Sequence, residues 1–279
     1  MDESPYGAGL QPAEVIAARP VSAPSPAERR RLAGLETVPR RNGALDLVLL
    51  LAVALVFPFG FELIAQLAVG EALELAVDAR LITVRKWFDA LLLVVLAAYF
   101  VHRNRVPAAA FGLRTDSLGR QGLWGFTTLL AAYAAFVPIM LLILGLVTAY
   151  PDLEQDLLQR TRFMQMLPLN DLVTIVVLLV PVAIHEELLF RALLIPYLHR
   201  VGCSWTLAVL ISSAIFASLH FPQGWLGVVQ IFGVGLVLGL FFVLSRSALA
   251  VIVAHFSFDL IQSLLARVLL PWLEHYAPQ

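Results

Sequence analysis

The sequence predicts an all-α protein: a polytopic transmembrane helix bundle of seven or eight spans. Three observations carry this. Of the 279 residues, 60% are apolar and 14% charged, whereas a soluble domain is roughly half apolar and a quarter charged. Mean hydropathy is +0.85. Apolar runs recur at about the 20-residue length needed to cross a bilayer, near 44–69, 87–102, 121–149, 170–198, 204–220, 225–244 and 247–270. The second run is short and the fourth long, which sets the range of seven to eight.

Residues 1–43 precede the first run and differ from everything after it. They hold Pro5, Pro12, Pro20, Pro24, Pro26 and Pro39 together with Arg29, Arg30, Arg31, Arg40 and Arg41. Such a stretch buries too little apolar surface to offset its chain entropy, so a disordered, basic, proline-rich cytoplasmic tail is expected. No apolar stretch follows a short basic start, so the first span reads as an uncleaved anchor. Residues 44–169 read as a transmembrane scaffold and 170–270 as the working domain, because almost all intramembrane polar side chains lie beyond 170. Residues 271–279 form a short C-terminal tail.

Orientation follows from arginine, which cytoplasmic loops retain. The tail, the 103–120 loop with Arg103, Arg105, Arg114 and Arg120, and Arg200 and Arg246 place twelve cations on one side. Arg80, Arg85, Lys86, Arg160 and Arg162 place five on the other. The N-terminus is therefore expected in the cytoplasm of a multi-pass protein of the cell membrane, with the lipid bilayer as its first partner. A net charge of −1 and a pI near 6.6 argue against nucleic acid. A single cysteine, Cys203, rules out an internal disulfide and a cysteine zinc cluster.

Ionisable groups inside spans are costly unless paired or wetted, so each is a functional candidate. The fourth span carries His185-Glu186-Glu187 and Arg191, the fifth ends Phe216-Ala217-Ser218-Leu219-His220, and the seventh holds His255 and Asp259. Residues four apart share a helix face. Glu187 is thus expected to pair with Arg191, leaving the Glu186 carboxylate available for chemistry, and His255 shares a face with Asp259. Measured from a turn at Gly202, Glu186 and His220 lie roughly 20 and 25 Å up an antiparallel hairpin, and His255 roughly 12 Å from its own end. All three coincide if the hairpin tip projects into the cytoplasm. A carboxylate, two imidazoles and a second carboxylate at one level can activate water and steady an oxyanion, which is the equipment of general-base hydrolysis.

The Glu-Glu-x-x-x-Arg of Glu186, Glu187 and Arg191, the Phe-x-x-x-His of Phe216 and His220, and the His-x-x-x-Asp of His255 and Asp259 resemble the three motifs of the CAAX prenyl protease and bacteriocin-processing family of intramembrane endopeptidases. The resemblance covers roughly residues 170–265, with a familiar Phe111-Gly112-Leu113-Arg114 upstream. It implies that Glu186 and His220 activate the attacking water and that His255 and Asp259 steady the oxyanion. Glu187, Arg191 and Phe216 would support them. Many relatives carry Asn at the last position, and an ionised Asp cannot donate a hydrogen bond, so Asp259 either binds the oxyanion or orients His255. The substrates implied are membrane-associated peptides or proteins: prenylated C-termini, leader peptides or C-terminal sorting segments.

Two histidines and a carboxylate could hold zinc with an open position, and the family has been described both as metal-dependent and as glutamate-dependent. The His-Glu-x-x-His of common zinc peptidases is missing, since Leu189 stands four after His185. No cofactor is expected. His185 reads as structural, and His102, His199 and His275 as interfacial. Gly227, Gly233, Gly235 and Gly239 read as close helix packing, and Trp87, Trp124, Trp205, Trp225 and Trp272 as an aromatic belt. Pro181 should free backbone carbonyls of the fourth helix. Asp152, Glu154 and Asp156 read as a solvated loop. The rival functions are a proton- or ion-coupled transporter, which would show paired interrupted helices, and a catalytically idle scaffold or immunity protein.

Overall fold

The computed structural model describes residues 37–56, 79–156, 158–159 and 171–276. The expected tail up to residue 36, the first span beyond Val56, and Arg160 and Arg162 lie outside the described residues. The helices are α1 (Arg40–Leu51, running into a π turn at Ala52–Val56), α2 (Ala79–Asn104), α3 (Leu118–Ala149) and α4 (Leu172–Glu187). A π-helical segment, Leu188–Leu194, joins α4 to α5 (Ile195–Val201). Then come α6 (Trp205–Ser218), α7 (Trp225–Ser245) and α8 (Ala248–Tyr276). Among the described residues there is no strand.

Four of these helices are long and apolar enough to cross a membrane: Leu118–Ala149, Leu172–Val201, Trp225–Ser245 and Ala248–Leu269. They match the third, fourth, sixth and seventh expected spans; the full count of seven is not reached among the described residues. The fifth expected span, 204–220, is only the 14-residue α6, which ends at Ser218 and leaves His220 in the following turn. The second, 87–102, lies inside a 26-residue helix that begins at Ala79. Arg85 and Lys86 therefore stand on helix rather than loop, since long cationic stems run along apolar surface to reach water.

Packing places the core between the two halves of the chain. Helix α3 packs against α7 and α8, α7 also against α6, and α4 against α2 and α8. Local chemistry sets the ends. Asp171 caps α4, accepting from the Thr174 amide at 2.9 Å and the Thr174 hydroxyl at 2.6 Å. Those bonds, the hydroxyl's first, hold the Asp171 carboxyl below its ordinary range. Ser204 caps α6. Asp156 corrects an expectation: its two carboxylate oxygens accept from the amides of Trp225 and Leu226, both at 2.7 Å. The acidic segment thus caps the start of α7, where unpaired N–H groups and the helix dipole favour an anion.

Pro181 lies within α4 and cannot donate to the Val177 carbonyl one turn back. The Trp87 indole of α2 donates there instead, at 3.1 Å. Gly112 holds a positive φ of 73° after the short helix Ala108–Phe111, and its carbonyl accepts from the Ala248 amide at the start of α8. A Cβ there would meet the Phe242 ring at 2.7 Å. The packing reading of the α7 glycines holds for three of them. Gly233 faces Ile139, Gly235 faces Phe216, and Gly239 faces Val209.

Candidate active site

Three helices bring the motif residues together. Glu186 and Glu187 end α4, Arg191 lies in the π segment, Phe216 on α6, His220 in the turn after it, and His255 and Asp259 on α8. Glu187 and Arg191 are fully buried. The guanidinium Nη1 donates to Glu187 Oε1 at 2.9 Å, and Nη2 makes a longer bond of 3.4 Å to the Gly235 carbonyl. The same guanidinium lies 4.4 Å over the Phe216 ring, a favourable cation–π placement away from water.

Glu187 has a second task that local spacing does not announce. His255 Nδ1–H donates to the same Glu187 Oε1 at 2.7 Å. The motif's second glutamate therefore ties α8 to α4 as well as holding Arg191. The other His255 nitrogen, Nε2, stands 3.3 Å from Asp259 Oδ2 and 3.8 Å from Glu186 Oε2. A ring protonated at both nitrogens satisfies Glu187 through Nδ1 and still offers Nε2–H, loosely held, to the space between Glu186 and Asp259.

His220 is fixed by its own helix end. Nδ1–H donates to the Phe216 carbonyl at 2.8 Å, and a carbonyl can only accept, so in the neutral ring the lone pair is on Nε2. The Phe216 ring packs edge-on against both imidazoles, 4.7 Å from His220 and 6.0 Å from His255. Glu186 interacts electrostatically with both histidines. Phe216 thus spaces the two rings from each other and covers Arg191.

Several residues at the site are not evident from the motifs. Lys86 and the buried Asp89 of α2 interact electrostatically with His185, and Lys86 also with Glu186. The buried His185 Nδ1 has no hydrogen-bond partner among the described residues. Tyr133 of α3 reaches α8 beside Asp259. An apolar scan marks such residues only as ordinary interface chemistry. His199 stacks on Trp205 at 3.8 Å and donates from Nδ1 to the Cys203 carbonyl. Arg246 lies 3.9 Å over the same indole, so Trp205 is sandwiched between His199 and Arg246.

Among the described residues no group of three or more His, Cys, Asp or Glu side chains is arranged to hold a metal ion.

Glu186, Glu187, His220 and His255 thus gather as a polar cluster among the helices of a multi-pass membrane protein. Residues 168–261 match the family model described as type II CAAX prenyl endopeptidase, Rce1-like. That is the family whose motifs the sequence resembles, and the match spans about a third of the chain, including every motif residue from Glu186 to Asp259. Neither a curated protein nor a solved structure matches the chain.

Proposed function

We propose that the protein is an intramembrane endopeptidase that hydrolyses peptide bonds of membrane-associated substrates, of the class of prenylated C-termini, leader peptides or C-terminal sorting segments. The observation that carries this reading is the division of labour between the adjacent glutamates. Glu187 is held by Arg191 and His255, while Glu186 has no cationic partner among the described residues closer than His255 at 3.8 Å and interacts electrostatically with His220 as well.

In this mechanism a water sits between Glu186 and the His220 Nε2 lone pair. Its oxygen attacks the scissile carbonyl carbon as Glu186 takes its proton, and the His255 Nε2–H donates to the oxyanion. When the C–N bond breaks, the proton on Glu186 passes to the leaving amine, which returns the carboxylate. Asp259, 3.3 Å from Nε2, orients His255. No step uses a metal. The N-terminus faces the cytoplasm of the cell membrane, which puts the Gly202 turn on the cytoplasmic side.

The test is cleavage of candidate membrane peptides by the purified protein in lipid nanodiscs. Glu186→Gln, His220→Ala and His255→Ala are each expected to abolish turnover while the protein still inserts and melts cooperatively. Exhaustive chelation is expected to leave turnover unchanged. Cleavage surviving Glu186→Gln removes that residue from the mechanism, and activity lost to chelation and restored by zinc replaces the metal-free scheme.

A further inference from the structure

The hydroxyl of Tyr133 reaches the part of α8 that bears Asp259, but comes from α3, outside the segment 168–261. Its ring is fixed by an aromatic trio: 4.8 Å from Phe258, with Phe136 edge-on to Phe258 at 5.2 Å and to Tyr133 at 6.1 Å. This brings the hydroxyl to the α8 backbone one residue before Asp259. There it stands 3.5 Å from the Phe258 carbonyl, hydrogen-bonds with the Gln262 side chain and lies within electrostatic reach of Asp259.

A fully formed O–H···O bond is about 2.7–2.8 Å long, so the carbonyl contact does not commit the phenolic proton. Ionised Asp259 can only accept, and its Oδ2 already faces His255 Nε2. The Asp259 side of the centre therefore needs a neutral donor where negative charge develops on the substrate oxygen. We propose that Tyr133 is a catalytic residue whose hydroxyl, beside Asp259, donates a hydrogen bond to the oxyanion alongside His255. This rests on the endopeptidase reading. Helix α3 then contributes to the chemistry instead of serving as scaffold alone.

The experiment is steady-state cleavage by the full chain carrying Tyr133→Phe, alone and combined with Asp259→Asn, with melting temperatures of each variant. Loss of one oxyanion donor costs about 10²–10³-fold in kcat. Tyr133→Phe is expected to lower kcat about 10²-fold, with KM and melting temperature unchanged, because the ring contacts remain. In the Asp259→Asn background the same change is expected to cost about tenfold less, since the new carboxamide donates in its place. An unchanged kcat, a loss carried by KM, or a fall in melting temperature that accounts for the loss would overturn the proposal. If Asp259→Asn alone is inactive, the kcat of Tyr133→Phe in the wild-type background decides. Wild-type cleavage lost in Glu186→Gln shows that the protease reading stands whatever Tyr133→Phe does, whereas no cleavage by the wild type overturns both.

Discussion

Glu186 and Glu187 are chain neighbours in different chemical company. Helical rotation leaves Glu186 beside both imidazoles and commits Glu187 to Arg191 and His255. Removing one member of a buried ion pair strands the other charge and costs about 3–5 kcal/mol, whereas replacing both is far milder. Arg191→Met is therefore expected to destabilise the protein by about that amount, and adding Glu187→Gln to recover at least half of it, read as melting temperature in nanodiscs. Equal melting of the single and double variants would mean that the pair is not what holds α4 and the π segment. The pairing of Glu187 with Arg191 and the shared face of His255 and Asp259 were legible in the sequence because both are four-residue spacings. The bond from His255 to Glu187 was not, because it joins residues 68 positions apart, and no local periodicity reports a contact between helices.

At the scale of elements, two irregularities shape the site. The π winding of Leu188–Leu194 loosens the usual backbone ladder, and the Phe190 carbonyl within it accepts from the Ser212 hydroxyl of α6 at 2.7 Å. Sequence periodicity placed a helix there but could not distinguish π from α winding, since both leave the same apolar run. The other irregularity is Pro181, where freed carbonyls were expected; Trp87 as the partner was not, because tryptophan near a span end reads equally well as belt. An unsatisfied buried carbonyl costs about 1–3 kcal/mol. Trp87→Phe is expected to lower stability by about that much, and Pro181→Ala in the same chain to restore it, because alanine supplies the missing N–H to Val177. Melting curves of the two variants check this, and an equal loss with and without Pro181→Ala would refute the exchange of donors.

For the whole molecule, the bundle class was legible from composition alone, but the boundaries were not. Asp156, read as part of a solvated loop, lies on a helical turn and caps α7 from 70 residues away. Asp46 sits fully buried beneath the Tyr197 hydroxyl at 3.1 Å and the Asn104 amide at 2.7 Å, although the first half was read as nearly free of buried polar groups. Helix α3 is long enough to cross the bilayer, so Arg105 and Asp152 should lie on opposite faces. With Cys203→Ser as background, Asp152→Cys is expected to react with an impermeant maleimide in intact cells and Arg105→Cys only after lysis; the reverse pattern would invert the topology. The shortness of α6 has a consequence of its own. Fourteen residues rise about 21 Å, against a hydrocarbon layer of about 30 Å. A helix of that length is too short to span the layer, and the turn bearing His220 ends it. On the endopeptidase reading, that turn is the expected entry for the water that hydrolysis consumes.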